Sequence, residues 1–291
     1  MAKILGVGIA TLDIINTVSE FPAEDAEVRA IKQNICRGGN VTNSLVLLSQ
    51  LGHQCYWHGT LATDSSASLI LEDLNNFEIN CKHVAQIKNS ATPTSYITLN
   101  QKNGSRTIVH YRHLDELSFS AFKNISLNEF DWIHFEARNI EQTVKMLIFL
   151  KQKHPDIPCS VECEKNRYGI EQLYSLPDLL IFSRNFCLQN NFTSAEDFLM
   201  QFTTSNKTQE IVVAWSEQGA YTRTKTGDIN QIEAITVKNI IDTIGAGDAF
   251  NAGLIDGLLS GHTINKACSV ANQLAAHKIS QTGFNIATFQ R

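Results

Sequence analysis

Residues 241–259 read IDTIGAGDAFNAGLIDGLL, and this stretch decides how the rest of the chain is interpreted. Gly245 and Gly247 stand just before Asp248, which opens a run with almost no charge. Glycine takes backbone angles that are closed to other residues and lets a ligand approach the main chain. The pattern predicts a glycine-rich loop that leads into a buried helix.

The start of that helix suits chemistry on an anionic group. Unpaired N–H groups and the helix dipole together place roughly +0.5 charge there, so the site can hold an anion. Asp248 would repel a resting phosphate. A carboxylate in that place fits a base that takes a proton from a nucleophile while loop amides stabilise a group in flight. An ordinary N-cap aspartate on a core helix is the alternative.

The composition points to a small-molecule partner. The 291-residue chain has a formal net charge of −5, whereas binding nucleic-acid phosphates needs a basic face, so we expect no nucleic-acid partner. No apolar run approaches the ~20 residues that span a bilayer, and we expect no membrane partner. Glycines and Asp13 interrupt the apolar start of the chain, which argues against a signal peptide.

The cysteines suggest a compartment. Seven are present, an odd number, and they form no C-x-x-C pair. Most lie in apolar surroundings, which is typical of structural thiols in a reducing environment. We therefore expect a cytoplasmic protein.

A second glycine pair precedes another predicted helix. Residues 37–44 read RGGNVTNS, and the apolar helix that follows is bounded by Gly52. Asn40 and Asn43 share one face of its first turn. Two side-chain amides there can donate to and accept from sugar hydroxyls, although a pair of helix-capping amides is the alternative.

An acidic residue stands inside an early apolar run. Asp13 lies between Leu12 and Ile14, where an unpaired carboxylate would be costly to bury. We expect Asp13 at a strand end, where it binds something polar. A surface acid on an edge strand is the alternative.

Four extended segments do not alternate with helices. Two are expected at 14–18 and 28–35, and two more, at 94–100 and 106–111, flank a turn with Asn103 and Gly104 that favours a hairpin. Together they predict a small antiparallel sheet apart from the main body.

After residue 114 strands and helices alternate. Strands are expected at 132–135, 159–161, 179–182 and 211–215, with a helix at 140–151. This order predicts an α/β fold with a doubly wound, mostly parallel sheet flanked by helices and with ligands at the strand carboxyl ends. Polar residues that follow three of these strands, each of which could instead form a structural salt bridge, are Glu136, Arg138, Asn139, Glu162, Glu164, Lys165, Arg167, Ser216 and Glu217.

Together these segments resemble the ribokinase (PfkB-type) family of carbohydrate kinases. Residues 242–252 are similar to its C-terminal signature and residues 37–44 to its N-terminal one. A narrower likeness to the ketohexokinase branch rests on residues 22–27, 103–109, 132–139, 161–167 and 214–220. The match runs nearly end to end, which implies a ribokinase-like fold with a β lid.

The resemblance implies a role for each motif. Asp248 becomes the base that deprotonates the attacking hydroxyl, and the anion hole is formed by Gly245, Ala246 and Gly247. The residues expected around the sugar are Asp13, Gly39, Asn40, Asn43 and Asp248, with Asp25 reaching into the site of a second subunit. Arg106 would close over the phosphates, and the nucleotide would be lined by Ser216, Glu217, Gly219, Gly245, Gly247 and Asn272.

The cofactors follow from the same chemistry. Phosphoryl transfer implies ATP with Mg²⁺, and the resemblance adds a potassium ion near the anion-hole loop. Many family members help to organise magnesium through an Asn-x-x-Glu motif after the strand at 179–182, where this chain has Arg184 and Cys187. The ketohexokinase branch also lacks the motif, which leaves Glu136 or Glu164 as candidates for positioning magnesium.

The expected domains divide the chain into a core and a lid. The core comprises residues 1–13, 37–90 and 115–291, and binds nucleotide and substrate. Residues 14–36 and 91–114 form the lid. In proteins that this chain resembles the lid also clasps a second subunit, so we expect a homodimer.

The resulting hypothesis is an ATP-dependent sugar kinase that converts fructose to fructose 1-phosphate. The spacing of Asp13, Asn40 and Asn43 does not exclude ribose, a sugar phosphate or a nucleoside as the acceptor. A NAD-binding dehydrogenase would need a further glycine after Gly247 and an acid about twenty residues on, but position 250 is phenylalanine and no acid follows Asp256. A non-catalytic sugar sensor would lack the base Asp248.

Overall fold

The computed structural model describes residues 1–289, and its main body is an eight-stranded sheet. The sheet order is β14-β13-β12-β11-β10-β9-β1-β4. Six strands from β4 to β12 in this order are parallel, whereas β13 and β14 are antiparallel additions at one edge. The bounds of these strands are β1 Lys3–Val7, β4 Gln54–His58, β9 Trp132–Glu136, β10 Cys159–Cys163, β11 Leu179–Ser183, β12 Glu210–Ala214, β13 Ala220–Arg223 and β14 Ile229–Ile232.

Helices cover both faces of this sheet. Alternate residues of a strand pack on opposite sides of the sheet. In β1, for example, Ile4 lies in the core on one side and Leu5 in the core on the other, and one group of helices covers each side. The first group comprises α1 Asn40–Gln50, α2 Ser65–Asn76, α7 Ala246–Leu259 and α8 Ile264–Ile279. The second comprises α3 Phe119–Phe122, α4 Ile140–Lys153, α5 Arg184–Gln189 and α6 Ala195–Gln201. Burial on both faces explains why the central strands β1, β9, β11 and β12 consist mostly of apolar residues.

A separate four-stranded sheet has the order β3-β2-β7-β8 and contains most of the segments predicted to form the lid, so we call it the lid sheet. Its strands are β2 Thr11–Val18, β3 Lys32–Gly38, β7 Ala91–Asn100 and β8 Arg106–His113, and a third, two-stranded sheet pairs β5 Thr60–Leu61 with β6 Ala85–Gln86. The inner pair β2–β7 is parallel, which differs from the wholly antiparallel lid that we expected. β3 ends at Gly38 and β7 begins at Ala91. The core segment between them, residues 39–90, is long enough for the crossover that a parallel partner of β2 needs.

The predicted hairpin is present, with Leu99 opposite Arg106. Only Gly104 of its loop takes a left-handed φ, +68°, so Asn103 and Gly104 lie in a longer loop, unlike a two-residue turn in which both residues would have positive φ.

The observed strands and helices agree with the predicted ones to within a few residues. The exception is the predicted strand 28–35, whose first four residues lie before β3. Sequence periodicity missed the main-sheet strands β4, β13 and β14, the short strands β5 and β6, and the helices α3, α5, α6 and α8. Within residues 1–289 no helix combines the length and apolar character needed to cross a bilayer. Residues 290 and 291, which the predicted core includes, lie outside the described residues.

Candidate functional site

The glycine-rich stretch forms the loop and first turn of α7. Gly245 caps the helix with φ +80° and provides no side-chain acceptor, so amides of the first turn stay available to an anion. A Cβ added to Gly245 would overlap the ring of Phe284. Glycine is therefore required both by the backbone angle and by the space.

Asp248 lies in that first turn and is 7% exposed. Asn43 Nδ2 donates a hydrogen bond of 2.7 Å to Asp248 Oδ2, and Ser44 Oγ donates to the main-chain oxygen of Asp248 at 3.0 Å. Burial raises the pKa of the Asp248 carboxyl to about 7, although the Asn43 hydrogen bond acts in the opposite direction. A carboxyl with a pKa near the working pH suits general-base chemistry.

Asn43 is held from the other side by a buried arginine. Arg37 Nη1 donates to Asn43 Oδ1 at 2.6 Å and to Thr42 Oγ1 at 3.1 Å, while Arg37 Nε pairs with Asp73 Oδ2 at 2.6 Å. We call Asp73, Arg37, Asn43 and Asp248 the base network. Gly39, at the start of α1, has φ +109°, and a Cβ there would overlap the carbonyl of Ile9. The tight turn from β3 into α1 is possible because glycine has no side chain.

Asn40 connects α1 to the end of β10. Its Nδ2 donates to Glu162 Oε2 at 3.1 Å and to Glu164 Oε2 at 3.3 Å. Glu162 is 7% exposed. Burial and the nearby Asp248 raise the pKa of Glu162 well above its ordinary value. Several carboxyls therefore face one side of the site.

Asp13 lies near the start of β2, at the edge where the lid joins the core. Thr11 Oγ1 donates to Asp13 Oδ1 at 2.9 Å, and the opposite residue across the sheet is Cys36. Burial raises the pKa of Asp13, against the effect of the Thr11 hydrogen bond and the nearby Arg37 charge. Asp13, Gly39, Asn40, Asn43 and Asp248 are thus drawn from three chain segments that converge.

Glu136, at the end of β9, is already engaged within the chain. Its Oε2 accepts from the amide of Ile9 at 3.1 Å, and its Oε1 pairs with Arg138 Nη1 at 3.3 Å. Burial raises the pKa of Glu136, while Arg138 lowers it. Arg138 also pairs with Glu116 at 3.1 Å. Glu136 and Arg138 therefore form a structural salt bridge, the alternative to a ligand-binding role that the sequence left open.

The predicted nucleotide residues lie around the edge strands. Ser216, with φ +50°, and Glu217 form a short 3₁₀ turn after β12, and Gly219 has φ +83°. Glu217 pairs with Arg184 at 3.1 Å. Asn272 of α8 donates to the carbonyls of Ile232 and Glu233 at 3.1 and 2.8 Å, so it fixes the chain that leaves β14.

Two predicted residues lie away from this convergence. Arg106 is exposed and stands four residues along β8 from His110, the residue in line with Asp13 across the sheet. Four strand residues correspond to roughly 13 Å. Asp25 is exposed in the loop between β2 and β3, with φ +63°. The roles of Arg106 and Asp25 stay predictions.

Beneath Gly245 lies a group that we call the floor, formed by Asp242, Lys278 and Phe284. Lys278 has a side chain with 0% exposure, and its Nζ donates to the Asp242 carboxylate at 2.7 Å and to the Asp242 carbonyl at 3.0 Å. The same ammonium lies 5.2 Å from the centre of the Phe284 ring. The floor thus ties the C-terminal segment to the loop that precedes Asp248.

Sequence reasoning missed several of these residues. Arg37 stood in a quoted motif without a role, and Glu162 was noted only as a polar residue after a strand. No role was predicted for Lys278 or Phe284. Asp242 in the signature motif is the one member of the floor that the sequence marked, since Lys278 follows His277 in the last turn of a helix with several polar residues.

Among residues 1–289, no group of three or more His, Cys, Asp or Glu side chains has the geometry to hold a metal. Glu162 and Glu164, which share a single amide, are nevertheless hard oxygen donors of the type that magnesium prefers. Glu136 is the weaker candidate of the predicted pair because Arg138 already neutralises it. A magnesium ion would fit here only with further ligands from the nucleotide and water.

Comparison with known proteins covers the whole described chain. Residues 1–289 match the family model described as pfkB family carbohydrate kinase. Ketohexokinase from Mus musculus is 34% identical over 291 residues, and the match covers 97% of this chain and 98% of that protein. These matches agree with the resemblance that the motifs carried and leave no support for the dehydrogenase alternative.

Solved structures match the fold at low sequence identity. Ribokinase from Giardia lamblia superposes with a TM-score of 0.84 at 16% identity, covering 99% of this chain and 97% of that one. Ribokinase from Arabidopsis thaliana, solved with ribose and ATP, gives 0.79 at 16% identity, with coverages of 97% and 94%. The predicted ribokinase-like fold is therefore confirmed.

Proposed function

This chain belongs to the pfkB family of carbohydrate kinases, and from that premise we propose that it transfers the γ-phosphoryl group of ATP to the C1 hydroxyl of fructose. The support for fructose is the 34% identity to mouse ketohexokinase over nearly the full length of both proteins. The support for the mechanism is the base network that surrounds Asp248.

In the proposed reaction, the ionised Asp248 takes the proton of the sugar hydroxyl. The sugar oxygen then forms a bond to the γ-phosphorus as the bond from that phosphorus to the β–γ bridging oxygen breaks, and ADP leaves. Amides of the Gly245 to Gly247 turn would stabilise charge on the moving phosphoryl group. Positioning by Asp13, Asn40 and Asn43 would hold the sugar against the base.

The single observation that carries this proposal is the 2.7 Å hydrogen bond from Asn43 to Asp248. It joins the two glycine-led motifs, which lie about two hundred residues apart in the chain. It leaves a buried carboxylate beside the open amides of a helix start, where an alcohol and a phosphate would meet.

The test is ADP release with ATP and a panel of sugars, followed by NMR location of the phosphate on the product. We expect the highest kcat/KM with fructose and phosphate on C1. Higher kcat/KM with another sugar, or phosphate on another carbon, would contradict the proposed substrate. No ADP release with any sugar would contradict the proposed activity.

Ribose is the second candidate acceptor because the Arabidopsis ribokinase, whose fold this chain shares, was solved with ribose and ATP. A sugar phosphate is less favoured by the charges near His110, which lies in line with Asp13 across the lid sheet. A second phosphate would need a basic partner, but Arg112 and Arg138 both pair with Glu116, at 2.7 and 3.1 Å. Comparing kcat/KM for fructose, ribose and fructose 6-phosphate separates these cases.

We also propose Mg²⁺ as a cofactor carried by the nucleotide, where it would neutralise charge on the phosphates. Glu164, and with it Glu162, are the side chains best placed to orient its water ligands. The proposal predicts loss of turnover on chelation and recovery with added magnesium. Potassium stays a prediction from the resemblance, tested by replacing K⁺ with tetramethylammonium in the assay.

The lid sheet supports the proposed homodimer. Its exposed apolar side chains include Ile35 at 50%, Tyr111 at 54% and Val109 at 66%, and Ile31, just before β3, is 56% exposed. An apolar patch of this kind is typical of an interaction surface. A second copy seated there would bring a partner's loop near the site, as proposed for Asp25. Location in the cytoplasm stays a prediction.

A further inference from the structure

Arg37 is a buried charge beside the reaction centre for which the proposed mechanism has no role. Its side chain is 2% exposed, and it contacts Asp73, Thr42 and Asn43. A buried arginine is retained only where its charge and donors are satisfied. Asp73 neutralises the charge, and Nη1 donates to two side chains in the first turn of α1.

We propose that Arg37 is a positioning residue for phosphoryl transfer, which fixes the side-chain amide of Asn43 so that its nitrogen donates to Asp248. The inference rests on the proposed function, since it concerns the residue assigned there as the base. The hydrogen bonds of Arg37 named above all go to protein side chains. It acts on the base through one intervening amide.

The argument begins with donor chemistry. Arginine has five donors and no acceptor, so the Asn43 atom that lies 2.6 Å from Arg37 Nη1 must be the amide oxygen. The amide nitrogen is then the atom that faces Asp248 Oδ2 at 2.7 Å. The orientation of the Asn43 amide is thus fixed by what Arg37 is able to donate.

Loss of Arg37 would release that constraint. The Asn43 amide could rotate by about half a turn and present its oxygen to Asp248, where two acceptors would oppose each other. The ionised base would then lose a hydrogen bond that favours it. Because a hydrogen bond to the charged form lowers the pKa of a carboxyl, the base would be protonated over a wider pH range.

Charges around Asp248 make this hydrogen bond important. Acidic groups face it from β9, β10 and the following loop, and basic groups face it from β3 and α8; these are Glu136, Glu162, Glu164, Arg37 and Lys278. Burial and the acids raise the pKa of Asp248, while Asn43 and Arg37 lower it. Arg37 therefore favours the ionised base both by its charge and through Asn43.

The test compares Arg37→Gln and Arg37→Lys with the wild type in the pH dependence of kcat/KM for the sugar. Glutamine removes the charge, so the acidic limb of the profile should move to higher pH and kcat/KM at pH 7 should fall on the order of 10- to 100-fold. Lysine keeps the charge but replaces a planar fork with a point charge. Its limb should move in the same direction by less.

Arg223→Gln is the matched control. Arg223 also holds protein oxygens with its guanidinium, the carbonyls of Leu199 and Phe202 at 2.8 and 2.5 Å, but it lies in β13 away from Asp248. This variant should lower Tm and leave the acidic limb in place. A purely structural role for Arg37 would give the same result, with activity falling only as folded protein is lost.

The inference is overturned if the limb keeps its wild-type position in the Arg37 variants. If Arg37→Gln does not fold, the lysine variant alone decides by the same criterion. Asp248→Asn, assayed alongside, separates the two levels of the account. If that variant keeps wild-type turnover, the proposed function fails whatever the Arg37 variants do; if it is inactive and the limb has not moved, only the role of Arg37 fails.

Discussion

The base network and the lid sheet differ in whether their side chains already have partners. The polar groups of the base network are paired within the chain, whereas apolar side chains of the lid sheet are exposed. In the base network, Asp73, Arg37, Asn43 and Asp248 are joined by contacts of 2.6 to 2.7 Å within one chain. In the lid, Ile108 and Val109 are neighbours on β8 that point to opposite faces, yet they are 49% and 66% exposed. The first region has its contacts in place without a ligand, as the proposed chemistry requires, whereas the second exposes apolar side chains that the proposed second copy would cover.

The difference teaches where substitutions should affect chemistry and where they should affect assembly. Changes in the base network remove interactions that exist before any ligand arrives. Changes in the lid should leave the isolated chain nearly intact and act only on contacts made later. The predictions below run from the largest expected effect to the smallest.

Replacing the base should give the largest effect. Asp248→Asn keeps the shape of the side chain but cannot accept the proton, so kcat should fall by about 10²- to 10⁴-fold while nucleotide affinity by calorimetry is kept. Asp256→Asn is the control, since Asp256 is buried in the same helix and pairs with His53 at 2.9 Å. We expect the control to lose stability and to keep turnover. Equal kcat in Asp248→Asn and the wild type would show that the base network does not control the chemical step, and the proposed difference between the two regions would fail.

Removing the charge beneath the anion-hole loop should have the next largest effect. Lys278→Met leaves Asp242 without its partner of 2.7 Å, and breaking a buried pair typically costs on the order of 3 kcal/mol of unfolding free energy. The loss should be smaller than this figure, because the Asp242 side chain is 21% exposed and water can partly solvate its charge. Denaturant unfolding measures the loss, and Lys145→Met, which breaks an exposed helix pair with Glu141, is the control. Equal small losses in both variants would show that the floor is not a stabilising element.

Truncating the predicted phosphate clamp should have a smaller effect on binding. Arg106→Gln removes one exposed charge, and we expect KM for ATP to rise by roughly tenfold, since a charge-assisted hydrogen bond is worth about 1.5 kcal/mol. The melting temperature should not change, because Arg106 is exposed and among residues 1–289 no ion pair engages it. Unchanged KM would show that the lid arginine does not reach the nucleotide even when ligands are bound.

Disrupting the proposed clasp should change catalysis least. Val109→Asp places a charge on the exposed lid face, and light scattering should show monomers where the wild type forms dimers. Met200→Asp is the control, because Met200 is 60% exposed on α6, outside the lid. A dimer that persists in Val109→Asp, or a wild type that is already monomeric, would contradict the proposed role of this face.

The sequence predicted the parts of the site that lie on locally recognisable segments. The turns at Gly39 and Gly245 need positive φ, and both residues stood in glycine-rich motifs directly before apolar helices. Most strands of the parallel sheet were predicted because burial on both faces leaves short, mostly apolar runs, whereas β4, with Gln54 and His58 at its ends, was not. Asn43 and Asp248 were therefore named as site residues before their contact was seen.

The remainder depends on packing between distant segments, which local patterns do not encode. The parallel pairing of β2 with β7 joins Asp13 to Ser95 across the core insertion, and an alternating strand pattern is the same for parallel and antiparallel partners. Lys278 looks like an ordinary basic residue in the last turn of a helix, where it would favour the dipole. Its burial follows only from the position of Asp242, 36 residues earlier.

The pH dependence of kcat/KM for fructose in the wild-type protein tests the central claim most directly. Because burial raises the pKa of Asp248 to about 7, the ionised base is lost as the pH falls through that value. The account predicts an acidic limb near pH 7 that Asp256→Asn does not move. A limb near pH 4, as for an ordinary exposed aspartate, or a profile without an acidic limb, would contradict it.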